Sequence, residues 1–99
     1  MAYKPYEIES MLLTKLKMDP SNEDHTWFEI QIEGLPKIRT KLSFTRKKEI
    51  GDKLIAKIHK QLRVRKIFFI GLMDCTKSLH DYEAQVKNDP YPPFNHIIV

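Results

Sequence analysis

Two short stretches in the first half of the chain alternate between apolar and polar residues. In residues 25–33 one face carries Thr26, Phe28, Ile30 and Ile32. In residues 37–44 the matching face carries Ile38, Leu42 and Phe44. A period of two predicts strands that bury one face and expose the other. Because only Gly34-Leu35-Pro36 separates the stretches, we expect an antiparallel hairpin with one solvent-open side.

The turn also predicts a register for this hairpin. A three-residue loop at 34–36 would place Ile30 opposite Thr40 and Phe28 opposite Leu42. On the open side, the same register pairs Glu33 with Lys37, Gln31 with Arg39, and Glu29 with Lys41. A two-residue loop would instead set apolar side chains against charged ones, so we prefer the longer loop.

Helical spacing accounts for most other apolar residues. A first helix is predicted from Tyr6 to Met18, and a second from about Arg46 to Leu62. A short apolar helix follows from Lys66 to Met73. A capping box of Ser78 and Asp81 opens a fourth helix that reaches about Lys87. The buried positions are expected to be Ile8, Met11, Leu12 and Leu16 in the first helix, and Ile50, Leu54, Ile55, Ile58 and Leu62 in the second.

These elements predict a small α+β fold in which helices pack on an antiparallel hairpin or sheet. The span between the first helix and His25 leaves room for at most a very short extra strand. Ninety-nine residues suit one domain, residues 1–88, followed by a Pro-rich tail at residues 89–99. In the tail, Ile97, Ile98 and Val99 favour docking on the domain or on a second copy as a homodimer, with a frayed end as the alternative.

The sequence indicates no membrane span, signal peptide, zinc cluster or cofactor site. No apolar run approaches the roughly 18 to 20 residues of a membrane span, and no signal peptide is visible, so we expect a cytoplasmic protein. The single cysteine, Cys75, is interpreted as a packing residue rather than a reactive thiol. The four histidines are too dispersed for a zinc cluster, and no cofactor-binding motif is present, so no cofactor is expected. Of these histidines, His59 is expected at the edge of the core and His80 in solvent.

Positive charge is concentrated in the middle of the chain. The net charge is +4, and between Lys37 and Lys66 the only acidic residues are Glu49 and Asp52. Arg46, Lys47 and Lys48 would lie at the positive end of the predicted second helix, where each cation is disfavoured by roughly 0.3–1 kcal/mol. A bound phosphate would remove this conflict, although the alternative is that these side chains simply extend into solvent.

The open side of the hairpin adds a histidine and a tryptophan to these cations, which is a layout suited to RNA. The residues expected to contact RNA or phosphate are Arg39, Lys41, Ser43, Arg46, Lys47, Lys48, Lys53 and Lys57, and Trp27 would stack on a base. Cleaving RNA without a metal requires an acid and a base near the phosphate. His25 can take either role, because an imidazole titrates near pH 6.5. A strand-end histidine is also a common surface residue, so this assignment stays open.

Several segments carry a family resemblance. They are Glu23-Asp-His-Thr-Trp-Phe-Glu-Ile30, Arg39-Thr-Lys-Leu-Ser43, residues 48–58, residues 69–75 and Tyr82. With the order of the elements, they resemble a divergent subgroup of the HicA toxins, prokaryotic mRNA interferases with a fold like the double-stranded-RNA-binding domain. The resemblance spans about residues 7–83 and aligns His25 with the family's catalytic histidine. The chain has Glu-Asp where the family has Gly-Ser before that histidine, and Phe44-Thr-Arg46 where the subgroup often has Ser-His-Gly.

Three function classes follow from these observations. The resemblance implies a toxin of a toxin-antitoxin pair, a metal-independent mRNA endoribonuclease and hydrolase with His25 as acid or base, neutralised by a HicB-like antitoxin. The second class is an RNA-binding module without catalysis. The third is an interaction protein whose cations bind an acidic partner.

Overall fold

The computed structural model describes residues 3–20, 27–42 and 49–95. They form a small α+β domain that contains a three-stranded antiparallel sheet and four helices. The apolar residues of these elements share one core, which includes residues of every helix and of strands β2 and β3. Among the described residues, no helix combines the length and apolar character that are needed to span a bilayer.

Helix α1 runs from Pro5 to Ser10 and continues as a π-helical turn from Met11 to Lys15. Pro5 suits the first turn because its missing N–H would have no partner there. The helix stops before the predicted Met18, since Lys17 adopts a positive φ of 55°. The four residues predicted to be buried, Ile8, Met11, Leu12 and Leu16, are all buried.

The sheet has the order β1-β2-β3, with β1 at Asp19–Pro20, β2 at Trp27–Ile30 and β3 at Ile38–Lys41. Both pairs of neighbours are antiparallel. The expectation of at most a very short strand before His25 is therefore confirmed, because β1 has only two residues. β1 pairs through Asp19 with Glu29 and through Pro20 with Phe28.

The predicted hairpin register is wrong by two residues. Phe28 lies opposite Thr40, Glu29 opposite Arg39, and Trp27 opposite Lys41. The reason is a longer connection. β2 ends at Ile30 and β3 begins at Ile38, so residues 31–37 form the loop instead of residues 34–36 alone. Within this loop Gly34 has a φ of 80°, and the Leu35 N–H donates to the Ile32 carbonyl at 3.0 Å. A shift of two preserves the faces, so the prediction of an inward and an outward side is confirmed.

Helix α2 runs from Asp52 to Gln61, so the prediction that it begins near Arg46 is wrong. Ile50 is buried in a bridge with Tyr3, with N–H···O distances of 2.7 and 3.1 Å. Gly51 is extended and caps the helix. Residues 46–48 lie outside the described residues, and the first turn of α2 begins after the non-helical residues 49–51. That turn carries Asp52, whose charge matches the helix dipole.

Helices α3, Lys66–Met73, and α4, Leu79–Asn88, form as predicted, and Ser78 and Asp81 make the expected capping box. The buried Tyr82 of α4 donates its hydroxyl to the Leu62 carbonyl at 2.8 Å. The prediction that Cys75 packs in the core is wrong, because it is exposed at a φ of 68° in the turn after α3. In that turn the N–H groups of residues 76 and 77 bond to the Gly71 carbonyl, and the cysteine side chain is left in solvent.

The C-terminal segment, residues 89–95, contacts the rest of the domain. The Tyr91 N–H donates to the Arg63 carbonyl at 2.9 Å, and Phe94 packs against the core. The segment therefore lies along the turn between α2 and α3. The predicted docking of Ile97, Ile98 and Val99 lies outside the described residues.

Candidate nucleic-acid interface

Trp27 and Glu29 of β2, Arg39 and Lys41 of β3, and Lys37 just before β3 form the surface that we call the open face. The alternation of the strands positions these side chains, because their neighbours Phe28, Ile38 and Thr40 point into the core. The helices cover the other side of the sheet. The open face therefore presents one large ring, three cations and the Glu29 carboxylate to solvent, and the exposed Asp19 of β1, directly opposite Glu29, adds a second carboxylate on the β1 side.

Trp27 and two cations form a cluster on this face. The Arg39 guanidinium carbon lies 4.6 Å from the centroid of the indole ring, and the Lys41 ammonium lies 5.8 Å from it. Both distances are typical of cation–π contacts. The corrected register explains the cluster, since Lys41 is directly opposite Trp27 and Arg39 is its diagonal neighbour. The sequence-predicted stacking residue and two of the predicted phosphate contacts are thus brought together.

Glu29 neutralises part of the positive charge on the open face. One of its carboxylate oxygens lies 3.3 Å from Lys37 Nζ and 4.0 Å from Arg39 Nε. The Lys37 and Arg39 side chains are about half exposed, at 55% and 50%. Lys41 is exposed and has no ion pair among the described residues. The strongest attraction for a phosphate is therefore expected at the Trp27–Lys41 end of the face.

The outer edge of β3 is closed by a side chain from α2. Gln61 Oε1 accepts from the Lys41 N–H at 3.1 Å and from the Thr40 hydroxyl at 2.8 Å. Gln61 is not among the site residues predicted from the sequence. The signal that could have found it is Thr40, because an inward-facing hydroxyl in an apolar core requires a hydrogen-bond partner. Gln61 places the end of α2 beside the Lys41 end of the open face.

The predicted contacts Lys53 and Lys57 are exposed, but on a different surface. They belong to α2, whose buried residues Ile55 and Ile58 pack in the same core as Phe28. Since α2 covers the opposite side of the sheet, these lysines do not join Trp27. The remaining predicted residues, His25, Ser43, Arg46, Lys47 and Lys48, lie outside the described residues.

The other candidate groups are structural or solvated. His59 is buried at the core edge, as predicted, and its Nδ1 lies 2.8 Å from the Val64 carbonyl. Burial lowers the pKa of His59, so the ring is neutral near pH 7 with its hydrogen on Nδ1. His80 is exposed. Within residues 3–20, 27–42 and 49–95, no three His, Cys, Asp or Glu side chains are grouped as a metal site would require.

Comparisons with protein families, with curated proteins and with solved structures found no match to this chain.

Proposed function

We propose that this chain is a HicA-like RNA-binding protein and that it binds RNA across the open face. The observation that carries the proposal is the cluster of Trp27 with Arg39 and Lys41, at 4.6 and 5.8 Å from the indole ring. It unites the two kinds of contact that a single strand offers, a ring for a base and cations for its phosphates.

The cluster also indicates how a strand would lie. Arg39 already covers the indole ring at stacking distance, so a base can stack on the guanidinium or on another exposed part of the ring. Stacking on an aromatic side chain contributes about 1–3 kcal/mol per base. Lys41 is then the expected phosphate contact, because Glu29 is engaged with Lys37 and Arg39 on the other side.

The order of the elements supports the double-stranded-RNA-binding-domain-like part of the proposal. A helix, three antiparallel strands and a second helix follow one another, and both helices contribute to one core. Helices α3 and α4 extend this arrangement at the C-terminal end. In this proposal the additional helices stabilise the domain and leave the open face free for RNA.

RNA cleavage is the second function that we propose, at the same face. His25 lies two residues before Trp27 in the sequence, and the resemblance to the HicA family aligns it with the catalytic histidine. In a metal-independent reaction, His25 would transfer a proton to or from the ribose hydroxyl or the leaving oxygen. A toxin of this kind would be held inactive by a HicB-like antitoxin.

The intrinsic fluorescence of the protein tests RNA binding directly, because Trp27 is the only tryptophan. We expect single-stranded RNA to quench this fluorescence and Arg39→Glu/Lys41→Glu to abolish both the quenching and the binding. The matched control is Lys17→Glu/Lys87→Glu, which changes the net charge equally at two exposed positions outside the open face. Equal loss of affinity in both variants would indicate a general charge effect and contradict an RNA site on the open face.

Cleavage is tested separately with His25→Ala. The variant should cleave RNA at least about a hundredfold more slowly and bind it within a few-fold of the wild type. Chelators should have no effect on either protein. If purified wild type binds RNA without cleaving it, the binding function stands and the catalytic part is wrong. If it binds an acidic protein or peptide but no RNA, the cations serve a protein partner instead.

A further inference from the structure

The C-terminal segment, residues 89–95, is held by two arginines of the turn between α2 and α3. Arg63 donates through Nη1 to the carbonyl oxygens of Pro92 and Pro93, at 3.1 and 2.8 Å. Its guanidinium carbon also lies 5.1 Å from the centroid of the Phe94 ring. One guanidinium thus contacts acceptor oxygens and an aromatic ring of the same short segment.

Arg65 makes the same two kinds of contact with residues closer to α4. Its Nη1 lies 2.6 Å from the Asp89 carboxylate, and its guanidinium carbon lies 4.9 Å from the centroid of the Tyr91 ring. Arg63 and Arg65 therefore contact acceptor oxygens and aromatic rings that alternate along residues 89–94. Neither arginine is among the RNA contacts predicted from the sequence.

Acceptor oxygens bound by the N–H groups and a ring against the guanidinium are the contacts that arginine makes with a nucleotide. We infer that Arg63 and Arg65 form a second RNA-binding site, which residues 89–95 occupy in place of a nucleic-acid strand. The Asp89 carboxylate stands for a phosphate, and the Tyr91 and Phe94 rings stand for bases. This inference rests on the proposed function, and it adds a second site and its regulation.

The second site adjoins the open face. Arg63 follows Gln61 by two residues, and Gln61 contacts the Lys41 N–H at the edge of β3. RNA that crosses the open face at Trp27 and Lys41 can therefore continue over this edge to Arg63 and Arg65. While residues 89–95 are in place, RNA binding is restricted to the open face.

The segment is held by contacts that a nucleic acid can replace. The Arg65 and Asp89 side chains are 50% and 58% exposed, so water and salt weaken their ion pair. RNA offers the same two arginines more negative charge and comparable rings. Residues 89–95 thus act as a strap that RNA of sufficient length displaces.

The test is a strap-release variant of the full chain, Asp89→Asn/Tyr91→Ala/Phe94→Ala. For a single-stranded RNA of about 16 nucleotides, we expect affinity to rise at least about fivefold at low salt, with a steeper salt dependence. An RNA of about 4 nucleotides, which reaches only the open face, should show no gain. A control with the same change of charge, Glu83→Gln/Tyr6→Ala, removes one carboxylate and one exposed ring elsewhere and should bind like the wild type.

A second pair of variants assigns the gain to the arginines. Arg63→Gln/Arg65→Gln should cancel the gain in the strap-release background and change RNA affinity less than about twofold in the wild-type background. A gain that persists without the arginines, or that appears equally with the short RNA, would overturn the second site. So would release that leaves affinity for the long RNA unchanged.

Two further measurements keep the outcomes separate. Phe94 packs against the core, so each variant is checked by thermal melting, and Asp89→Asn/Tyr91→Ala retains Phe94 as a milder release that should give a smaller gain. Arg39→Glu/Lys41→Glu reports on the open face alone. If this change leaves RNA binding intact while strap release still raises affinity, the proposed site on the open face fails and the second site stands. If Arg39→Glu/Lys41→Glu abolishes RNA binding and strap release leaves the affinity unchanged, only the second site is contradicted.

Discussion

At the scale of single residues, the alternation of apolar and polar positions predicted which side chains of the strands point inward. It did not predict which side chains from different strands or helices are in contact. The outward positions of Arg39 and Lys41 follow from parity alone. Their approach to Trp27 depends on a register that the loop decides. Cys75 illustrates the same limit, because a small apolar residue is usually packed but here occupies a turn with positive φ. Its exposure follows from backbone geometry that the sequence pattern does not contain.

His59 provides a prediction at this scale. Its pKa is lowered mainly by burial, with smaller effects from Lys60 and Lys66, so the folded protein prefers the neutral ring. Below the ordinary value of 6.5 the unfolded chain binds a proton that the folded chain does not, so stability falls as the pH falls. His59→Asn keeps an N–H near Nδ1 for the Val64 carbonyl but cannot titrate.

The measurement is the melting temperature between pH 7.5 and pH 5 for both proteins. The wild type should lose more stability than His59→Asn over this range, because their other titrating groups are the same. Parallel curves would show that His59 does not contribute to acid sensitivity.

At the scale of elements, helices α3 and α4 were predicted best, and for α4 the reason is its cap. Ser78 and Asp81 fix the start of α4 through bonds between neighbouring residues, which a sequence displays directly. The start of α2 was missed because Ile50 pairs with Tyr3, far away in the sequence. An apolar residue at helical spacing can equally be buried in a bridge, and only the fold distinguishes these cases. Because α2 begins at Asp52, its dipole does not support the phosphate site that was predicted at residues 46–48.

The contact between Gln61 and β3 gives a prediction for the packing of α2 on the sheet. Gln61→Leu leaves the buried Thr40 hydroxyl and the Lys41 N–H without their acceptor, and should lower the free energy of unfolding by about 1–3 kcal/mol. Thr40→Val should lower it less, since Gln61 keeps the Lys41 N–H. In the double variant the loss should be smaller than the sum of the two, because no unpaired hydroxyl remains.

Urea denaturation of the wild type and the three variants measures this cycle. A coupling of at least about 0.5 kcal/mol is expected for two residues in direct contact. Strict additivity would mean that the side-chain contact between Thr40 and Gln61 does not stabilise the packing of α2 against β3.

At the scale of the whole molecule, the sequence predicted an α+β domain and a cationic surface, but it did not predict that the cations divide into separate groups. Arg39 and Lys41 lie on the open face, Lys53 and Lys57 on α2, and the two arginines of the α2–α3 turn beneath the C-terminal segment. A count of charges along the chain contains no information about this division. The Pro-rich composition of residues 89–99 predicted a separate C-terminal tail, and the arginines that hold residues 89–95 became visible only in the fold.

Tyr82 links helix α4 to the turn between α2 and α3. It is buried in α4, and its hydroxyl donates to the carbonyl of Leu62, the residue that caps α2 and precedes Arg63. Tyr82→Phe removes this bond and leaves the buried carbonyl unpaired. We expect a loss of about 1–2 kcal/mol in the free energy of unfolding, and therefore a melting temperature lower by at least roughly 4–8 °C.

Tyr6→Phe is the matched control, because Tyr6 is 62% exposed and its change should leave the melting temperature within about 1 °C of the wild type. Burial also raises the pKa of Tyr82, so above the ordinary value of 10.0 the unfolded chain loses a proton that the folded chain keeps. Stability should therefore fall above pH 10 in the wild type and less steeply in Tyr82→Phe. Equal melting temperatures for Tyr82→Phe and the wild type would mean that α4 is held to the α2–α3 turn by apolar packing alone.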